Sequence, residues 1–144
     1  MTTANFTAFQ EKFRVEALTI FKNNGWTLSL RPNQPTLGSC ILSLNRPAES
    51  FADISPDEAA QLAKIVHWGD SHLQAAFGFD KINYLMLMMV DHHVHFHVIP
   101  RYEAAATCAG LTIEDATYPT PPDLGGVAVS DNQANDIIAA IKKA

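Results

Sequence analysis

Apolar residues recur along the chain with two different periods, one helical and one alternating, and these divide it into predicted elements. Phe6, Phe9 and Phe13 return at helical spacing among polar neighbours, which predicts a short amphipathic helix packed into the core by its aromatic face. Residues 15–22 and 26–30 are rich in β-formers and flank Asn23-Asn24-Gly25, whose residues tolerate positive φ and suit a tight reversal; a β-hairpin is predicted there. Proline and glycine punctuate residues 31–38 as a loop, and Cys40-Ile41-Leu42-Ser43-Leu44 follows as a third strand.

The clearest helix start is Ser55-Pro56-Asp57-Glu58. Ser55 can cap, Pro56 needs no amide partner in the first turn, and Glu58 can close a capping box; Gly78 marks the stop. Between them Ala59, Leu62, Val66, Gly69, Leu73, Ala76 and Phe77 form one apolar stripe, so this long helix covers a face of a sheet, with His67 and His72 expected on its surface. Residues 83–89 form an almost unbroken apolar strand, and Asp91-His92 offers a short turn into a strand over residues 93–99, which predicts antiparallel pairing of the two. Beyond Tyr102 the pattern becomes irregular, and Tyr118-Pro119-Thr120-Pro121-Pro122 with Gly125-Gly126 predicts a long loop able to wrap a site or a partner subunit. Ser130, Gln133, Ile137, Ile138 and Ile141 describe a capped amphipathic last helix, with Lys142 and Lys143 at the negative end of its dipole. The expected class is α+β: about five antiparallel strands, a long central helix and helices at both termini.

Composition narrows this without changing it. The 144 residues, 47% of them hydrophobic, suffice for one domain and one core, with the core over about 15–102 and an extension over 103–144. A net charge of −5 and a pI of about 5.6 leave no broad positive field for long nucleic acid, while allowing a local cationic pocket. Cys40 and Cys108 are too few for a disulfide framework and form no metal knuckle, which fits a reduced, cytoplasmic setting. Residues 1–5 lack the basic stretch and apolar run of a secretory signal, and the longest apolar run, 84–90, is far too short to span a bilayer, so no membrane partner is expected.

Four of the six histidines fall between His92 and His97, and strand alternation sends His93, His95 and His97 to one face and Val94, Phe96 and Val98 to the other. A purely structural role fits poorly, because buried imidazoles bring nitrogens that need partners and charged ones repel. Zinc is a serious competitor, since three neutral imidazoles can hold it; yet alternation spreads the outer Cα atoms by roughly 13 Å at the usual strand rise. A phosphate suits the spread better, meeting several imidazoles and amides at once, and imidazole is a competent nucleophile near neutral pH.

His93-Val94-His95-Phe96-His97-Val98-Ile99 resembles the His-x-His-x-His-x-x pattern of the histidine triad nucleotide hydrolases and transferases, and Pro100-Arg101 continues the match. Leu42-Ser43-Leu44-Asn45-Arg46, Glu49-Ser50-Phe51, the helix from Ser55 and Asn83 extend it over about 15–102. The resemblance implies that His95 attacks the α-phosphate of a nucleotide, forming a transient nucleotidyl-histidine, with His97 on the phosphate or leaving group and His93 in support. No metal or other cofactor is required by that scheme. It further implies a nucleotide substrate, either a purine mononucleotide derivative or a dinucleoside polyphosphate, and a homodimer. Where relatives carry Gly-Gln for leaving-group contacts, this chain has Met88-Met89-Val90-Asp91-His92, and where they carry Pro-Gly-His it has Leu37-Gly38-Ser39. Arg31, Asn33, Ser39, Asn83 and His92 are therefore expected to bind nucleotide or phosphate, Arg31 through a bidentate guanidinium, with a solvent-exposed loop arginine and an exposed His92 as the alternatives. A zinc-binding hydrolase and a nucleotide-binding module without catalysis remain as alternatives.

Overall fold

In the computed structural model of the protein, which describes residues 2–144, the first strand pairing is set by a side chain. Asn23 Oδ1 accepts the N–H groups of Gly25 and Trp26, both at 2.9 Å, and closes the reversal between β1 (Thr19–Lys22) and β2 (Trp26–Leu30). The positive-φ residues among those described lie elsewhere, so the turn does not use the left-handed backbone its Asn-Asn-Gly sequence permits. β1 starts at Thr19 instead of residue 15. The chain leaves α1 (Thr3–Lys12) through Arg14 at φ 49°, and the N–H groups of Val15 and Leu18 donate back to Gln10 and Arg14, which removes the donors a longer strand would need.

After a two-residue strand β3 (Asn33–Gln34), the chain continues through β4 (Cys40–Leu44), α2 (Pro56–Phe77), β5 (Lys81–Leu85) and β6 (His95–Arg101). The main sheet has five antiparallel strands in the order β1-β2-β4-β6-β5, so the histidine strand lies between β4 and β5. β6 begins at His95, two residues later than its apolar pattern suggests, because the Val94 N–H leaves the ladder for the Ala48 carbonyl, although the Val94 carbonyl still accepts from Leu44. β5 is correspondingly shorter, ending at Leu85, and the chain then turns through Met88 at φ 52°.

Alternation gives the sheet two unlike faces. Leu28, Leu42 and Val98 point toward α2, whose N-terminus carries the Ser55–Glu58 capping box and whose C-cap is Gly78 at φ 62°. α2 buries Ile65, Gly69 and Leu73; Ile65 joins the predicted stripe, and Ala59 is exposed at its edge. Gly69 permits close approach, since a Cβ there would sit 3.2 Å from Leu28 Cδ2. α3 (Asp131–Lys143), capped by Ser130 and Gln133, buries Ala134, Ile137, Ile138 and Ile141 in the same core.

The segment before α3 is more ordered than its prolines and glycines suggest. It holds a small hairpin, β7 (Ala106–Cys108) with β8 (Leu111–Ile113), and β9 (Val127–Ala128) pairs with β3. Arg101 fastens it: Nε and Nη2 donate to the two carboxylate oxygens of Asp115 at 2.7 and 3.1 Å, and Nη2 also reaches the Thr120 carbonyl at 2.7 Å. Among the described residues no helix is long and apolar enough to cross a membrane.

Candidate active site

The second face of the sheet carries the histidines, and a helix covers it. His95 lies opposite Ser43 and His97 lies between Ile41 and Leu85 on the neighbouring strands. Phe9 of α1 and Phe13, its C-cap, form with Val15 and Ile41 a small cluster of their own over this face. Phe6 and Phe9 stand 4.8 and 4.9 Å from the His93 ring, Phe9 is 4.9 Å from His95, and Phe13 is 6.3 Å from His97. The helical spacing of the phenylalanines thus predicts α1 correctly, but the aromatic face meets the histidines instead of the main core.

Backbone carbonyls hold two of the three rings, whereas His97 Nδ1 is buried with no partner among the described residues. His93 Nε2 lies 2.8 Å from the Leu44 carbonyl, and His95 Nδ1 is hydrogen-bonded to the His93 carbonyl. A carbonyl can only accept, so His93 must carry its proton on Nε2 and His95 on Nδ1, which leaves His95 Nε2 with a free lone pair. The His95 and His97 rings meet edge to face at 5.0 Å. His93 is fully buried, and His95 and His97 are 2% and 8% exposed.

The exposed remnant of His95 and His97 opens onto a cleft of about 520 Å³. On the β2 side the cleft is walled by Arg31, Pro32 and Asn33, with Leu124 added by the segment before α3; on the β5 side stand Leu87 to Asp91, and α1 contributes Lys12 and Phe13. Arg31 Nη1 donates to the Asn33 and Gly125 carbonyls at 3.2 and 3.3 Å, while its buried Nε has no partner among the described residues. No carboxylate among the described residues pairs with Arg31, in contrast to Lys12, whose Nζ lies 2.9 Å from both oxygens of Asp91. The result is a half-buried cation facing a pocket with two imidazoles.

Burial governs the protonation of the site. It lowers His93 and His95 below the ordinary histidine range, and pushes His97 down to about 4 with further lowering from His95 and Arg31. Desolvation also lowers Arg31 without neutralising it. Arg31 and Lys12 each depress His95 and His97, whereas Asp91 raises them, so all three charges act on both rings. At neutral pH the rings are uncharged, as a nucleophile requires.

Of the residues expected to bind nucleotide or phosphate, Arg31 and Asn33 line this cleft. Ser39, Asn83 and His92 do not. Ser39 is buried, and its hydroxyl donates to the Thr36 carbonyl at 2.8 Å, tying the loop before β4. Asn83 shares the histidine face, opposite Ile99, but its Oδ1 accepts from Arg101 at 2.9 Å. His92 is exposed and lines a separate, smaller hollow beyond Asp91. Lys12, Phe13 and Leu124 complete the cleft without having been predicted for it, because no local pattern reports that α1 and the distant segment near residue 124 converge on β6.

No protein-family model and no curated protein matches the chain. Solved structures do. A histidine triad protein from Sinorhizobium meliloti 1021 is 21% identical and matches over 90% of this chain and 92% of its own, with a TM-score of 0.72. A hypothetical histidine triad nucleotide-binding protein from Sulfolobus tokodaii is 17% identical, covering 88% and 81%, with a TM-score of 0.67. A zinc-bound histidine triad family protein from Mycobacterium smegmatis is 14% identical, covering 94% and 93%, with a TM-score of 0.62. The class is therefore defined by fold: this is the α+β fold of the histidine triad proteins, five antiparallel strands with a long helix across one face. Within that fold the chain's three alternating histidines are His93, two residues before β6, and His95 and His97 at its start.

Proposed function

We propose that the protein is a nucleotide hydrolase or nucleotidyl transferase that acts at the α-phosphate through a covalent nucleotidyl group on His95. The observation that carries this reading is the bond from His95 Nδ1 to the His93 carbonyl, which leaves Nε2 unprotonated beside a cleft containing the unpaired Arg31. The nucleotide-binding description of the similar Sulfolobus tokodaii protein supports the same substrate class.

In the first step the Nε2 lone pair forms an N–P bond, the bond from phosphorus to the leaving group breaks, and its electron pair departs with that group. The ring becomes cationic, and the Nδ1–H donated to the His93 carbonyl stabilises that charge. In the second step water or another acceptor attacks phosphorus, the N–P electron pair returns to Nε2, and the acceptor's proton is released. Arg31 holds the non-bridging phosphate oxygens, Asn33 contacts the nucleotide from the rim, His97 contacts the phosphate or leaving-group oxygen, and His93 positions His95. Ser39, Asn83 and His92 are not given a part, for they are bonded elsewhere or lie outside the cleft.

A three-histidine zinc centre has less support. Among the described residues no three His, Cys, Asp or Glu side chains are placed to share an ion. Residues 1–144 acting as one domain, a homodimer and a cytoplasmic setting, the last in keeping with two free thiols, belong to the same proposal. Light scattering at twice the 15.8 kDa chain mass checks the dimer.

The test is His95→Ala assayed with adenosine 5′-phosphoramidate and diadenosine tetraphosphate. Turnover should vanish while the circular dichroism spectrum is retained, and mass spectrometry of quenched wild-type protein should find a nucleotidyl adduct on His95. A variant that keeps the wild-type rate on either compound refutes the covalent reading.

A further inference from the structure

Lys12 has no role in the scheme above, yet it stands in the same cleft as His95 and His97. It is the last residue of α1, and its side chain is 51% exposed. Asp91 holds it through two hydrogen bonds of 2.9 Å, so the ammonium, with three N–H donors, keeps one for another acceptor. The sheet order puts β2 and β5 on opposite sides of β6. Arg31 follows β2, whereas Asp91 and the Lys12 it orients belong with the loop after β5, so the two cations flank the histidines from opposite sides. Both act electrostatically on both rings.

In-line displacement separates two sites of charge by the reacting phosphorus: the non-bridging oxygens of the transferred group, and the departing oxygen with whatever it carries. One cation cannot serve both. With Arg31 assigned to the transferred phosphate, the cation across the cleft is left to the leaving group. We propose that Lys12, oriented by Asp91, selects substrates whose leaving group is an anionic phosphate or polyphosphate over those that release a neutral amine. When His95 Nε2 bonds to phosphorus, the bridging P–O bond breaks and its electrons stay on the departing phosphate, where the Lys12 ammonium meets the new charge. An amine takes up a proton from solvent water as its P–N bond breaks, leaves as a neutral molecule and gains nothing from that contact.

This inference rests on the function proposed above, and a comparison of two substrates separates the failure of one from the failure of the other. The wild-type chain, Lys12→Met and Lys12→Arg are assayed with diadenosine tetraphosphate, whose leaving group is anionic, and adenosine 5′-phosphoramidate, whose leaving group is ammonia. The ratio of the two kcat/KM values should shift toward the phosphoramidate by about 10- to 100-fold in Lys12→Met, the range expected for one charge-assisted hydrogen bond, and return most of the way in Lys12→Arg. An unchanged ratio in Lys12→Met, whether both activities fall together or neither falls, overturns the role of Lys12 and leaves the covalent mechanism standing. Wild-type protein that turns over neither compound defeats both.

Discussion

His95 shows how a few covalent neighbours set chemistry. A residue two positions back along the chain supplies the carbonyl that holds its Nδ1 proton, so the tautomer with Nε2 free is a property of local backbone geometry. The burial that keeps the rings neutral comes from Phe9 and Phe13 and has a measurable consequence for stability. An unfolded histidine titrates near 6.5, whereas His97 in the folded protein titrates at about 4, and His93 and His95 are lowered in the same direction. Above pH 6.5 neither state binds these protons and the native state keeps its full advantage. As pH falls from 6.5 toward 4, the unfolded chain takes up protons that the folded chain refuses, so stability must fall, by roughly 2–3 kcal/mol for His97 alone. Urea midpoints measured from pH 7 to pH 5 should decline and the decline should be shallower in His97→Gln; a flat wild-type profile contradicts neutral burial. The triad itself was legible because alternation along a strand is local, but the fate of Ser39, Asn83 and His92 was not. Each is near the histidines in sequence pattern or on a neighbouring strand, and its availability is decided by partners such as Thr36 and Arg101.

At the scale of elements, the ends of α2 and α3 follow their sequence signals closely, since a capping box and a C-cap glycine are satisfied within a few residues. α1 is different. Its period was readable, but its place over the histidine face depends on Ile41 and Val15 offering it an apolar seat beside imidazoles. Phe9 is almost fully buried in that seat, so Phe9→Ala should cost about 3 kcal/mol and admit water to His93 and His95. Denaturant titration reads the first effect, and faster carbethoxylation of histidine by diethyl pyrocarbonate reads the second. Unchanged reactivity would mean that α1 does not shield the triad. The strands were predicted too long at 15–22 and 83–89 for a common reason. Apolar runs report burial, whereas strand ends depend on the backbone: Val15 and Leu18 find their hydrogen-bond partners outside the ladder, and Met88 turns the chain away at positive φ.

Across the whole molecule, the segment after β6 returns to the sheet and completes the site, with Leu124 on the cleft wall and the Gly125 carbonyl on Arg31. Its anchor is the Arg101–Asp115 pair, both side chains almost wholly buried. Burial alone would raise Asp115, but the Arg101 guanidinium and the Tyr102 N–H hold it below its usual range. Asp115→Ala leaves a buried guanidinium uncompensated and should cost about 3–5 kcal/mol, more than Arg101→Met combined with Asp115→Ala. Chemical denaturation of the single and double variants checks this, and equal losses would show that the pair is not coupled. By itself, the sequence determined the α+β class, the helix caps, the pairing of β5 with β6 and the shared face of His93, His95 and His97, because each follows from a short-range period or a few adjacent residues. Only the tertiary structure decided that α1 roofs the triad, that Lys12 meets Asp91 and that Leu124 reaches the cleft. Those contacts join residues tens of positions apart, and their geometry is set by how the faces of the sheet are covered, which no local pattern encodes.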